Sequence, residues 1–266
     1  MDGRIREDAA PLAGWDSPLV RACAEGLMGG VWPGGGEPPA AAAAVIGDFI
    51  FLAGRPDAAL LARACAHAAQ RERLLVPREA AWHAEILRRC GGRAAPITRY
   101  ATRRDPHAFD PARLARFAAA LPDGFRLSPI DDALYRLCRS EQWSADLVGQ
   151  FPDAARYRAQ GLGVAVLHGG RIVSGASSYA RIPGGIEVQV DTRAQFRRQG
   201  LASACAAALI LACLRRGLYP NWDAHNAASL ALAEKLGYHL ERAYPAFTLR
   251  PAQPRALDTI RRPLLY

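Results

Sequence analysis

A strand, an arginine-rich loop and a long apolar helix follow one another over residues 185–218 of this 266-residue sequence, and they constrain its fold more than any other segment. Apolar and polar side chains alternate along the strand: Ile186, Glu187, Val188, Gln189, Val190 and Asp191. This alternation predicts a half-buried strand with one polar face. The apolar run Leu201–Leu218 then predicts a long helix.

The loop between the predicted strand and helix has the features of an anion site. The first backbone N–H groups of a helix have no intrahelical partner, and the helix dipole adds positive charge there. Gly200 and the small Ala202 let the backbone approach a phosphate closely. Arg197 and Arg198 add charge and forked donors. The loop alone therefore predicts a bound anion at the start of the helix.

The rest of the chain predicts two mixed α and β halves. A boundary near Pro122-Asp123-Gly124 indicates an N-terminal domain over 1–122 and a second domain over 123–266. In the first half, residues 29–44 are rich in Gly, Pro and Ala and are predicted to form a loop, while Val45–Ala53 is predicted to form one buried strand. No site motif is apparent there. In the second half, the Gly169-Gly170 turn between two apolar runs predicts a hairpin.

Charge and cysteine content exclude several classes of protein. The net charge of +9 raises the question of nucleic-acid binding. However, the arginines are dispersed and no recognition motif is present, so we expect a solvated basic surface and no nucleic-acid partner. The six cysteines have no metal-ligand spacing, so we expect reduced core residues and no metal. Neither a membrane-spanning run nor a secretory signal is apparent, so we expect a cytoplasmic protein that does not bind membranes.

A second pattern lies downstream of the loop. It consists of a short strand, Asn226, Ser229, and a helix that closes with Lys235-Leu236-Gly237-Tyr238. Together with the Arg197–Ala202 loop, this pattern resembles the GNAT superfamily of N-acetyltransferases over about residues 125–250. Within that superfamily it looks closest to the zwittermicin A resistance-type acetyltransferases.

The resemblance implies an α/β (α+β) fold of the GNAT type. Its sheet would be twisted, mixed and mostly antiparallel, flanked by helices, and splayed open between two parallel central strands. A smaller α/β N-terminal domain would precede it, and one interpretation of that domain is a degenerate GNAT-like repeat. The implied cosubstrate is acetyl-CoA, and the residues implied to bind it are Val188, Val190, Arg197, Arg198, Gln199, Gly200, Leu201, Ala202, Asn226 and Ser229. Asn226 could instead cap its helix, since Asn is a preferred N-cap residue.

The implied reaction is transfer of an acetyl group to a primary amine of a small molecule. Glu187 is the candidate base, because family members often carry a Glu on this strand; the alternative is a solvent-facing strand residue. Asp223 and His225 either face the same cleft or serve as turn and capping residues.

The proton donor for the leaving thiolate is not assigned by the sequence. Many family members have a Tyr where this chain has Ala233, which leaves Tyr179, Tyr238, another Tyr or water for that role. The missing Tyr also motivates an alternative function, a non-catalytic CoA-binding sensor or scaffold. The sequence allows a homodimer and does not identify the acyl acceptor.

Overall fold

The computed structural model of the chain describes residues 7–252, which form eight α-helices and twelve strands arranged in two sheets. The helices are α1 (Pro18–Ala24), α2 (Ala58–His67), α3 (Ala80–Cys90), α4 (Pro111–Ala119), α5 (Asp132–Ser140), α6 (Ala154–Gln160), α7 (Leu201–Leu214) and α8 (Ala227–Lys235). The strands are β1 (Gly30–Pro33), β2 (Ala41–Ile46), β3 (Phe49–Gly54), β4 (Arg73–Pro77), β5 (Ala94–Thr102), β6 (Phe125–Pro129), β7 (Gly163–His168), β8 (Arg171–Ile182), β9 (Gly185–Thr192), β10 (Tyr219–Asn221), β11 (Asp223–Ala224) and β12 (Leu240–Leu249).

The C-terminal sheet has the order β10-β9-β8-β7-β6 and contains the predicted splay. Strands β6 to β9 are antiparallel neighbours, whereas β9 and β10 are parallel and are joined through α7. Their pairing covers only Gly185–Glu187 against Tyr219–Asn221. Beyond Glu187, β9 runs on to Thr192 alongside β8, while the chain after β10 leaves this sheet. The predicted mixed, mostly antiparallel sheet with two diverging parallel strands is therefore confirmed.

The other sheet combines strands from both ends of the chain, in the order β1-β2-β3-β4-β12-β5-β11. Strand β12 lies between β4 and β5 and is antiparallel to both, and β11 pairs with β5 at the edge. Strands from either side of residue 122 are thus hydrogen-bonded to one another. The domain division at that residue stays a prediction.

Two β–α–β units with the same element order are visible in the chain. In the first, β3 and β4 are parallel and joined through α2; in the second, β9 and β10 are parallel and joined through α7. The first unit is followed by α3 and β5, and the second by the two-residue strand β11 and then by α8 and β12. The two closing strands are exchanged, because β12 pairs with β4 of the first unit and β5 pairs with β11 of the second. The fold is therefore a tandem arrangement.

The buried strand predicted around Phe49–Leu52 is present as β3, but the bounds predicted for residues 29–53 were wrong. The expected loop over 29–44 contains β1 and most of β2, and the expected single strand over 45–53 is broken by a turn at Gly47-Asp48. Alanine has a low strand propensity, so the run Ala41–Ala44 carries no local strand signal. All four of these side chains are buried, alternately against the helices on the two faces of the sheet. Tertiary packing, in which methyl groups let helices approach closely, explains this strand.

Helix α7 is the centre of the C-terminal core. It is apolar on all sides and lies between the sheet and α4, burying residues along its whole length. A helix that is apolar all round is expected to be enclosed. It ends at Leu214 rather than at the predicted Leu218, because Gly217 adopts a left-handed conformation (φ 63°) and turns the chain into β10. Between residues 7 and 252, no helix is long and apolar enough to cross a membrane.

Candidate active site

The start of α7 lacks a side-chain cap. Of the eight α-helices in the described part of the chain, six begin with a Ser, Asp or Asn side chain that accepts a hydrogen bond from the first turn, and only α3 and α7 do not. The N-cap residue of α7 is Gly200 in a left-handed conformation (φ 81°), and the first helical hydrogen bond runs from Ala204 N to Gly200 O at 3.1 Å. Because the earlier N–H groups of a helix have no intrahelical partner, this end can receive an anion.

The loop before α7 is exposed and has an unusual backbone. Arg198 has φ 66°, the one positive φ at a non-glycine residue within 7–252. A Cβ added at Gly200 would meet nothing within 4 Å, so the glycine is required by its φ and not by crowding. Arg197 donates from Nε to Thr192 O at 3.2 Å, which ties the loop to the end of β9, and Leu201 anchors it in the core. Arg197, Arg198, Gln199 and Gly200 are exposed and Ala202 is half-buried.

A cleft of about 590 Å³ opens beside the unpaired edge of β9, and we call it the β9 cleft. Val188, Gln189 and Val190 line it from β9, and Phe49 and Leu74 line it from the N-terminal sheet. This edge of β9 has no neighbour because β10 pairs only as far as Glu187. Free backbone groups in a cleft can bind an extended chain carrying amide groups.

The predicted residues at the start of α8 lie near this cleft and have structural partners. Asn226 caps α8, accepting from Ser229 N at 2.9 Å. The hydroxyl of Ser229 lines the β9 cleft and accepts from the Trp222 indole at 3.1 Å. Asn226 therefore has the capping contact that its residue type favours, while Ser229 lies where a ligand in the cleft could reach it.

Glu187 is buried at the point where β9 and β10 separate. Its side chain is 4% exposed, so the solvent-facing alternative is wrong. Its carboxylate accepts hydrogen bonds from Asn221 Nδ2 at 2.7 Å and from Asp223 N at 3.0 Å. Burial, with a further contribution from the Asp223 charge, raises the pKa of Glu187 to about 8, although both hydrogen bonds oppose the shift. A base whose pKa lies near neutral pH is well suited to proton transfer.

Asp223 lies in a charged network that joins the two halves of the chain. Arg99 on β5 donates from Nε to Asp223 Oδ1 at 2.8 Å, and the Tyr244 hydroxyl donates to Oδ2. Burial raises the pKa of Asp223, although Arg99 opposes the change. Arg99 also lies 3.2 Å from Nδ1 of His225, a second residue of the β9 cleft. Sequence reasoning missed Arg99 and Tyr244, because their partners are 124 and 21 residues away and no local pattern links them.

The two tyrosines considered for the proton-donor role differ in location. Tyr238 is buried in the core and donates to Pro220 O at 2.7 Å, and it does not line the β9 cleft. Tyr179 lines the β9 cleft, and its hydroxyl accepts from Asp48 N at 2.6 Å. It occupies a bulge of β8 opposite Glu187 and Val188. Ala233 is buried and brings no functional group.

A second cleft, of about 520 Å³, borders the crossing segment, residues 221–223, in which the chain passes from β10 to β11; we call it the β12 cleft. Asn221, Thr102 and Tyr244 line it, and it shares Trp222 and Asp223 with the β9 cleft. The Trp222 carbonyl is held by the Thr102 hydroxyl at 2.7 Å. The two clefts therefore approach each other where the chain passes from β10 to β11, beside the residues that hold Glu187.

Diverging parallel strands joined through a helix with an uncapped start agree with the acetyltransferase fold that the sequence resemblance implies. The family model described as GNAT acetyltransferase matches residues 9–247, and the chain belongs to this family. The match spans both β–α–β units, so it includes the N-terminal half in which the sequence offered no motif.

Individual relatives agree with this assignment. A crystal structure of a GCN5-related N-acetyltransferase-like protein from Streptococcus suis is 44% identical, with a TM-score of 0.87, over 92% of this chain and 98% of that one. The tandem GNAT protein from the clavulanic acid biosynthesis pathway shares the fold, with 15% identity and a TM-score of 0.50 over 80% of this chain and 79% of that one. The uncharacterized N-acetyltransferase YdfB of Bacillus subtilis is 30% identical over 130 residues, 48% of this chain; the match spans about half the length of that relative, 49%.

Proposed function

We propose that the chain transfers the acetyl group of acetyl-CoA to a primary amine of a small molecule. The observation that carries this proposal is the buried Glu187 at the last paired residue of β9 and β10, between two clefts that meet there. One cleft would take the cosubstrate and the other the acceptor, so that the two substrates meet at the splay.

The residues present fit the proposed cosubstrate. The pyrophosphate would lie against the uncapped start of α7, on Arg197, Arg198, Gln199, Gly200, Leu201 and Ala202. The pantetheine arm would lie in the β9 cleft, where it would pair with the free edge of β9 at Val188 and Val190 and pass Ser229. Asn226, the N-cap of α8, would lie next to this part of the cosubstrate. Bound there, acetyl-CoA supplies an activated acyl carbon for attack by an amine.

Glu187 would accept the proton that the acceptor ammonium must lose before it attacks. Asn221 and the Asp223 backbone each donate one hydrogen bond to it, so each carboxylate oxygen keeps further acceptor capacity. Because the carboxylate is nearly enclosed, the proton would reach it through a water beside Asn221 in the β12 cleft. A free N–H of β9 beyond Glu187 would stabilise the oxyanion that forms during attack. Tyr179 on the β9 cleft is the candidate proton donor to the thiolate.

Titration calorimetry with acetyl-CoA, followed by a thiol-release assay against a panel of amines, tests this proposal. The panel includes antibiotic amines, because residues 125–250 resemble the zwittermicin A resistance-type subgroup. We expect binding and turnover with at least one amine, and absence of binding at millimolar acetyl-CoA would refute the proposal. Ala233 favours a second candidate, a CoA-binding sensor or scaffold, which predicts tight binding without turnover of any amine.

A further inference from the structure

The lining of the β12 cleft has a net positive charge, whereas the lining of the β9 cleft does not. Five arginines line the β12 cleft against three carboxylates, whereas three arginines and four carboxylates line the β9 cleft. One of the three carboxylates, Asp223, is already neutralised by Arg99, which does not line the β12 cleft. The acceptor side therefore has an excess of positive charge. This charge lies apart from the Arg197–Ala202 loop, so CoA phosphates bound at that loop do not account for it.

Most of the arginines in the β12 cleft are already engaged by neighbouring groups. Arg21 pairs with Glu25 at 3.1 Å, Arg242 lies 3.5 Å from Glu241 and donates to Asp16 O, and Arg78 donates to two carbonyls of the N-terminal segment. The remaining two are Arg103 and Arg104. Neither guanidinium forms an ion pair or a hydrogen bond with any residue in 7–252.

The backbone that carries these two arginines is held next to β10, the strand that pairs with β9 up to Glu187. Arg103 N donates to His239 O at 2.8 Å, and Arg103 O accepts from the Tyr219 hydroxyl at 3.0 Å. The Arg104 guanidinium lies 5.1 Å from the centre of the Tyr219 ring. Tyr219 stands two residues before Asn221, the residue whose amide binds Glu187, and two strand residues span about 7 Å. Both arginines thus line the same cleft as Asn221, on a segment that hydrogen bonds hold beside β10, and neither guanidinium is engaged by an ion pair or a hydrogen bond within 7–252.

We infer that the β12 cleft takes an acceptor amine that carries an oxyanion, a carboxylate or a phosphate, and that Arg103 and Arg104 bind this anion. Planar guanidinium groups match both oxyanions through paired hydrogen bonds. The inference rests on the proposed function and specifies its substrate class. Arg103 and Arg104 act as specificity residues that orient the amine toward Glu187, and they take no part in the proton transfer.

Matched amine pairs test this inference. The thiol-release assay is run with 2-aminoethyl phosphate against ethanolamine and with β-alanine against β-alaninamide, so that the anion is changed and the primary amine is kept. We expect the anionic member to have at least an approximately tenfold higher kcat/KM in one or both pairs, mainly through KM. The phosphate and carboxylate pairs distinguish the two oxyanions.

The double variant R103A/R104A removes both guanidinium groups and should reduce the anionic preference to near unity, with little change for the neutral amines. R215A/R216A is the matched control, because these two consecutive exposed arginines line neither cleft. R103K/R104K should retain part of the preference. A neutral member preferred in both pairs, or a preference that survives in R103A/R104A, would overturn the inference while leaving the proposed function intact.

A binding measurement separates this inference from failure of the proposed function. Calorimetric titration of 2-aminoethyl phosphate into the wild type with saturating CoA should give an affinity that R103A/R104A loses by about tenfold and R215A/R216A retains. If R103A/R104A loses this affinity but no amine is acetylated by the wild type, the proposed acetyltransferase activity is refuted and the anion site is supported. Equal binding by the wild type and R103A/R104A would overturn the anion site, whether or not amines are acetylated.

Discussion

The two β–α–β units of this chain have the same element order and different helix starts. In the first unit, three residues connect β3 to α2, and the last of them, Asp57, caps the helix by accepting from Leu60 N at 2.8 Å; its other oxygen accepts from Gly35 N at 2.9 Å. In the second unit, eight residues connect β9 to α7, and no side chain caps the helix. A carboxylate thus occupies, in the first unit, the place where the second unit can receive a phosphate. The comparison indicates that only the second of these two helix starts is open to an anion.

The parallel strands also pair over a longer stretch in the first unit than in the second. The paired stretch of β3, Phe49–Leu52, is wholly apolar and runs beside β4 over four residue pairs, and β12 covers the other edge of β4. The β9 and β10 strands pair over three residues, end on the buried Glu187, and then separate. The first unit is therefore built as a closed scaffold, and the second as an open site.

Replacing Glu187 by Gln should have the largest effect on turnover. It removes the carboxylate from the paired end of β9, which then has no ionisable group, like the paired stretch of β3. The amide cannot accept the acceptor's proton, so kcat should fall by about 10²- to 10⁴-fold while acetyl-CoA affinity stays within about twofold. Steady-state thiol release and calorimetry measure the two quantities. E72Q removes an exposed carboxylate that lines the same β9 cleft and should leave kcat nearly unchanged. Equal turnover by E187Q and the wild type would remove Glu187 from the mechanism.

Replacing Gly200 by Asp should convert the open helix start of the second unit into the closed start of the first. The carboxylate would repel the CoA pyrophosphate and compete for the N–H groups of α7, raising the Kd for CoA by about tenfold to 100-fold. Calorimetric titration of CoA measures this change. G200N is the matched control, because Asn has the same size and tolerates the left-handed backbone equally well without a charge. If G200N weakens CoA as much as G200D, backbone strain and not charge is responsible.

The second unit could be predicted from the sequence because its signals are local. The alternation in β9, the loop before α7 and the glycine that ends α8 each lie within a few residues of the structure that they specify. The buried location of Glu187 was not predictable, since it depends on Asn221 and Asp223 from the crossing segment.

The first unit was harder to predict because its signals are not local. The strand β2 is built from alanines that are buried only after helices pack on both faces of the sheet. The exchange of β5 and β12 depends on pairing between residues that are more than 120 positions apart, as between Ala101 and Asp223 or between Leu75 and Phe247. The contact between Arg99 and Asp223 depends on that exchange, because β11 reaches Arg99 only by pairing with β5. Local patterns contain no information on such pairings.

The pH dependence should distinguish the two units further, since only the second has a buried carboxyl at its strand end. The pKa of Glu187 is raised to about 8, so kcat/KM should rise about tenfold between about pH 7 and pH 9 as the base ionises. In E187Q this rise in kcat/KM from ionisation of the base should be absent, and only the pH dependence from titration of the amine substrate should remain.

The same raised pKa has a consequence for stability. The unfolded chain releases this proton near the ordinary glutamate value, whereas the folded chain holds it to about 8. The free energy of unfolding should therefore decline as the pH rises across that window. Urea titrations of the wild type and E187Q over the same pH range measure this decline, and parallel curves for the two proteins would contradict the raised pKa.

Replacing Asp57 by Ala should have the smallest effect and should leave the CoA site intact. Loss of this cap should lower the free energy of unfolding by about 1 kcal/mol, with CoA affinity unchanged, because α2 contributes no residue to either cleft. Hydrogen bonds from Gly35 and Leu60 lower the pKa of Asp57, so its stabilisation is present above the ordinary aspartate pKa and is lost as the pH falls through the folded value. Denaturation of D57A, beside the exposed control D123A, should show a difference at neutral pH that vanishes in acid. A loss of CoA affinity in D57A would mean that the start of α2 also contributes to the site, beyond the cleft-lining residues Phe49 of β3 and Leu74 of β4.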